Sequence, residues 1–83
     1  IAYGTAKAAI VAATRTMAVE LAQDGIRVNA IAPGVTETPS SGTYVDQDVD
    51  RDRRAITMGR RARPDEQAGA ALFLLSDLAS YVT

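Results

Sequence analysis

The sequence predicts an α/β fold on three observations. A long amphipathic segment over residues 3–24 closes in Gln23-Asp24-Gly25. A short run over 26–32 follows at once, apolar except for Arg27 and Asn29, and a second helical segment over 64–76 comes after a long irregular stretch. Helix, glycine turn and a strand apolar on both faces make the second half of a β-α-β unit, in which helices cover a parallel sheet.

The first helix carries the chemistry. Tyr3 and Lys7 stand four residues apart, so they project from one side of a helix, one turn above the other. A phenol is a poor proton donor or acceptor at neutral pH, and a nearby positive charge favours its ionised form. Lys7 is thus placed to tune Tyr3 into a general acid/base. A lone Tyr-x-x-x-Lys spacing is short, and it is equally compatible with an amphipathic tyrosine beside a snorkelling lysine. Tyr3, Lys7, Ile10, Thr14, Met17 and Leu21 share one quadrant and should face the sheet, whereas Ala8, Val11, Ala12, Val19 and Ala22 form a second apolar strip. That strip is either a subunit contact or a face covered by further chain. Gly25 suits the left-handed position that ends a helix.

Composition narrows the function classes. Among 83 residues there is no cysteine and no histidine, which excludes disulfides, thiolate metal sites and a Ser-His triad and leaves only carboxylates for any metal. The net charge is -1, with both signs interspersed, so no nucleic-acid surface is expected. No basic-then-apolar leader and no apolar run near ~20 residues is present, so neither secretion nor membrane spanning is expected. The expectation is a cytoplasmic segment of a longer protein.

Pro33-Gly34 stops the strand, and Val35-Thr36-Glu37-Thr38-Pro39 follows at its carboxyl end. In open α/β sheets ligands bind outside the carboxyl ends of strands. Glycine admits close backbone approach, and the threonines offer donors and acceptors; an ordinary strand-ending turn would read the same way. The stretch of about 35–63 is expected to be a lid. In it Asp46, Asp48, Asp50, Arg51, Asp52, Arg53 and Arg54 read as a solvated, partly helical surface. The aspartate spacing lacks the glycine and glutamate of a calcium loop. Pro64-Asp65-Glu66 begins the last helix with proline at its first position and carboxylates at the positive end of the dipole. Residues 81–83, Tyr-Val-Thr, look like the start of a last strand.

Taken in order, Tyr3-x-x-x-Lys7, the closing Leu21-Ala22-Gln23-Asp24-Gly25-Ile26-Arg27-Val28-Asn29, Pro33-Gly34, Thr38, Phe73-Leu74-Leu75-Ser76-Asp77 and Tyr81-Val82-Thr83 resemble the C-terminal part of the short-chain dehydrogenase/reductase family. The resemblance covers nearly all of the chain. It implies a partial domain over 1–83, the C-terminal portion of a doubly wound parallel-sheet Rossmann domain that uses NAD or NADP. By likeness, Tyr3 moves the proton at the substrate oxygen, and Lys7 holds the nicotinamide ribose. Pro33 and Gly34 line the nicotinamide pocket, the Thr36 backbone meets the carboxamide, and the Thr38 hydroxyl binds cofactor. Hydride would pass between the cofactor and a carbonyl/alcohol substrate, in a homodimer or homotetramer. The glycine-rich phosphate turn, the selector for the adenosine ribose and the catalytic serine that the family places before the tyrosine are not in this sequence. The 83 residues alone are therefore expected to be inactive. The alternative left open is a non-catalytic, truncated interaction module.

Overall fold

The computed structural model describes residues 1–38 and 49–83. It divides into two compact units, one of Ile1–Ile31 with Phe73–Thr83 and one of Ala32–Leu72.

Alanine-rich Ala2–Leu21 forms α1, as its helix propensity directs. Two threonines inside it turn their hydroxyls back onto the helix, Thr5 Oγ1 donating to the Ile1 carbonyl at 2.9 Å and Thr14 Oγ1 to that of Ile10 at 2.8 Å. The helix tightens into a 3-10 turn over Ala22–Asp24 and is closed by Gly25 at φ 72°. The Gly25 amide donates to the Ala22 carbonyl at 3.0 Å and the Ile26 amide to that of Leu21 at 3.2 Å, so the orphan carbonyls of the last turn are met. A residue with a Cβ would oppose this left-handed geometry by about 1–2 kcal/mol.

The expected sheet does not form. Among the described residues there is no strand, only one isolated parallel bridge between Thr36 and Ala62. The doubly wound, parallel-sheet Rossmann architecture is therefore corrected to helices joined by irregular segments. The physical reason is visible at 26–32, where apolarity signals a preference for burial but pairing needs a neighbouring backbone. What reaches this segment is largely side chain. The Val28 amide donates to Thr83 Oγ1 at 3.0 Å, while the Arg27 guanidinium and Asn29 Nδ2 donate to the Val82 carbonyl at 3.3 and 2.8 Å. Arg27 also bonds the Ser76 carbonyl at 3.3 Å. Backbone groups that a ladder would employ are thus occupied by Arg27, Asn29 and Thr83, and residues 81–83 form no strand either. Just before them, Asp77–Ala79 makes a 3-10 turn, and Ala79 is the one fully buried residue among those described.

In the second unit, the bridge is made by the Ala62 amide donating to the Val35 carbonyl and the Glu37 amide donating to the Ala62 carbonyl, both at 2.9 Å. Val49–Ala55 forms the short helix α2, and Gly59 at φ 71° turns the chain back towards the bridge. Pro64–Leu75 forms α3. The charged stretch is helical over α2, but Asp52 is drawn inward rather than solvated: Arg61 Nε donates to its Oδ2 at 2.7 Å, with both side chains only 15% exposed. Part of the expected lid, residues 39–48 with Pro39, Ser40, Ser41, Asp46 and Asp48, lies outside the described residues.

Candidate active site

Tyr3 and Lys7 occupy the first turns of α1, and the helix brings them together. The Lys7 Nζ lies 5.6 Å from the centroid of the Tyr3 ring, within the range at which an ammonium is attracted to an aromatic face. Tyr3 is 77% exposed, so the phenol is open to a ligand. This arrangement follows from local structure alone, because the pitch of the helix superposes residues four apart. A phenol held beside a cation can pass a proton at its oxygen, and an ammonium on a flexible stem can also donate hydrogen bonds to hydroxyls.

Pro33, Gly34, Thr36 and Thr38 lie in the second unit. Pro33 and Gly34 are exposed, and open space surrounds the position where a Cβ would stand on Gly34. A flat molecule could approach that backbone closely. Thr36 Oγ1 donates to the Gly34 carbonyl at 2.9 Å, which folds the hydroxyl onto its own loop. Because the bridge uses the Val35 carbonyl and the Glu37 amide on one side, the main-chain groups of Thr36 point to the other side. Thr38 is half-buried.

The same unit contains a recess of about 440 Å3 lined by Gly34, Val35, Ile56, Met58, Arg60, Ala62, Glu66 and Gln67. Its charged rim is closed on itself. Arg60 Nη1 and Nη2 donate to the two Glu66 oxygens at 2.8 and 2.6 Å, and the Arg63 amide donates to Glu66 Oε2 at 2.8 Å. Glu66 thereby completes half of a capping box for α3. Hydrogen bonding from Arg60, and then from the Arg63 backbone, lowers its carboxyl to about 2. Arg63 pairs with Asp65 at 2.9 to 3.0 Å, and that bond holds the Asp65 carboxyl below its ordinary value.

Sequence reading did not single out Ile56, Met58, Arg60 or Glu66 as site residues. Glu66 three positions after the residue before a helix-starting proline was a legible capping signal. The meeting of Val35 with Ala62 had none, because it depends on the turn at Gly59. Among the described residues, no group of acidic side chains is arranged to hold a metal ion. No helix there is long and apolar enough to cross a membrane.

Comparison with known proteins supplies the family. The family model described as enoyl-(acyl carrier protein) reductase matches residues 1–83. The chain is 42% identical to dehydrogenase/reductase SDR family member 4 of Caenorhabditis elegans, over 99% of this chain and 34% of that protein. It is 43% identical to the 3-oxoacyl-[acyl-carrier-protein] reductase FabG of Thermotoga maritima, over 98% of this chain and 33% of the relative. It is 46% identical to oxidoreductase UcpA of Escherichia coli K12, over 99% of this chain and 34% of the relative. The chain thus spans about a third of the length of these relatives. With a family model matching from first residue to last, and with a tyrosine and lysine stacked on one helix face, the chain belongs to the short-chain dehydrogenase/reductase family.

Proposed function

We propose that this chain is part of an NAD- or NADP-dependent oxidoreductase acting on a carbonyl/alcohol pair, with Tyr3 moving the proton. The observation that carries the reading is the stacking of the Lys7 ammonium over the Tyr3 ring at 5.6 Å. Relatives named as reductases and oxidoreductases support the reaction class.

The residues present fit a nicotinamide cofactor, since the Gly34 backbone is open to close approach and Lys7 carries three donors for ribose hydroxyls. Lys7 would hold the ribose, Pro33 and Gly34 the nicotinamide, Thr36 the carboxamide through its main chain, and Thr38 a further cofactor oxygen. The bound cofactor supplies the hydride chemistry. Tyr3 gives a proton to the substrate oxygen in reduction and takes it back in oxidation. Assembly as a homodimer or homotetramer belongs to the same proposal.

The test is Tyr3→Phe in the full-length protein. Loss of a general acid/base lowers turnover by about 10²–10⁴-fold, while cofactor affinity, measured by fluorescence titration of the reduced nicotinamide, stays within a few fold. Unchanged turnover removes Tyr3 from the mechanism, and absence of turnover in the full-length wild type leaves the interaction module as the better reading.

A further inference from the structure

We propose that Thr57 is a phosphorylation site for a protein kinase that recognises arginines on the amino-terminal side of its acceptor, with a nucleoside triphosphate as the phosphoryl donor. Phosphorylation there is independent of the reaction proposed above.

The residue order supplies the recognition pattern. Among the serines and threonines of the sequence, Thr57 alone has an arginine three positions before it, Arg54, and Arg53 stands directly ahead of that. Charge patterns beside the acceptor are one means by which kinases choose substrates, because a guanidinium forms a two-bond fork with a carboxylate of the enzyme's groove. Both arginines are exposed. Arg53 reaches only Asp50, at 4.0 Å and with 70% of its side chain in solvent, a pair that contributes little. Arg54 makes no ion pair or hydrogen bond among the described residues. Arg60 and Arg61, on the other side of Thr57, differ, because Glu66 and Asp52 hold them. The positive charge free to meet a kinase therefore lies ahead of the acceptor.

Local geometry presents the hydroxyl. The Gly59 amide donates to the Ile56 carbonyl at 2.7 Å, closing a turn with Thr57 and Met58 at its two central positions. Thr57 is exposed, and so is Met58 beside it. Thr5, Thr14 and Thr36 each donate their hydroxyl to a backbone carbonyl, whereas Thr57 Oγ1 makes no hydrogen bond among the described residues. The two arginines sit in the last turn of α2, a seven-residue helix too short to persist on propensity alone. That turn can open locally to lie in an enzyme groove. In the transfer, Thr57 Oγ1 attacks the γ-phosphorus and the bond from that phosphorus to the departing nucleoside diphosphate breaks. The hydroxyl proton passes to a carboxylate base of the kinase. The product carries about -1.5 to -2 charge and three acceptor oxygens, which the unpaired Arg54 guanidinium suits.

The experiment incubates the full-length protein with ATP, magnesium and a purified kinase that requires arginine three positions before its acceptor. A parallel sample receives a kinase that requires acidic residues after it. Trypsin releases residues 55–60, a peptide in which Thr57 is the only hydroxyl side chain, so a mass gain of one phosphoryl group on that peptide locates the modification. The gain is expected with the first kinase and not with the second. Arg54→Gln is expected to slow it about tenfold or more, through loss of a charge-assisted hydrogen bond, and Thr57→Val to abolish it. Both positions are exposed, so neither substitution opens a core cavity. An unmodified peptide in the wild type, equal labelling by both kinases, labelling only after heat denaturation, or an undiminished rate in Arg54→Gln overturns the assignment.

Discussion

Single residues in this chain divide into those whose neighbours are set by helix pitch and those set by a turn. Tyr3 and Lys7 are of the first kind, so their stacking could be anticipated from spacing alone. Glu66 is of both kinds: its bond to the Arg63 amide is a helix-start contact, whereas its fork with Arg60 depends on the bend at Gly59. Its carboxyl lies at about 2 in place of an ordinary 4.5. A folded-state value below the unfolded one means that the unfolded chain binds the proton more readily. The stability this group contributes is therefore complete above pH 4.5 and is lost as pH falls from there towards about 2. Glu66→Gln should lower the thermal midpoint of the full-length protein at neutral pH, by a margin that closes over that acid window. The margin should also shrink in ~1 M salt, since the Arg60 and Glu66 side chains remain 51% and 31% exposed. Midpoints recorded against pH check this, and a margin that persists unchanged at the acid end contradicts it.

Among the elements, α2 is the one whose sequence suggested a free surface and whose structure supplies an anchor. Seven residues make too short a helix to persist on propensity alone. Asp52 is the contact that ties it down, taking Arg61 Nε at 2.7 Å while both side chains are 15% exposed. Asp50 and Arg53, by contrast, are 76% and 70% exposed and only 4.0 Å apart, a pair that contributes little. Asp52→Ala leaves a half-buried guanidinium without its partner, and should lower stability by about 1–3 kcal/mol. Limited trypsin digestion is the sensitive readout. Cleavage after the arginines of 51–63 should accelerate, and the charge exchange Asp52→Arg with Arg61→Asp should restore part of the protection. Equal digestion rates in wild type and Asp52→Ala would show that α2 is held by something else. Asp52 and Arg61 are nine residues apart, and no helical or strand period connects that spacing. Their meeting was therefore invisible in the residue order.

For the whole molecule, the dominant fact is uncovered apolar surface. Val19 and Leu75 are 77% and 83% exposed, and Leu72 and Leu78 are 70% and 83% exposed. Apolar area left in water favours association. The 83-residue chain on its own should therefore elute in size-exclusion chromatography well above its 8.7 kDa and bind an apolar fluorescent dye. A monodisperse, dye-silent monomer would contradict the exposure seen here. The second apolar strip of α1, read from periodicity as a contact or covered face, is exposed at Val11 and Val19 and contributes to this surface.

Residue order was sufficient for much that depends on contacts within about one helical turn: the presence of α1, though not the 3-10 turn over Ala22–Asp24 that ends it, the left-handed closure at Gly25, the proline start of α3 and the stacking of Lys7 on Tyr3. Those interactions are local, and their geometry is prescribed by backbone sterics. Family membership was legible as well, because it rests on several short motifs in one order. The sheet was not, since an apolar run states only which side chains prefer to leave water, and a strand exists only when another backbone lies alongside it. Tertiary structure decided that Arg27, Asn29 and Thr83 take bonds a ladder would have used, that Thr36 bridges Ala62, and that Val35 and Met58 line one recess. Each joins residues more than a dozen positions apart, where chain sterics no longer constrain the outcome and the competition among distant partners settles it.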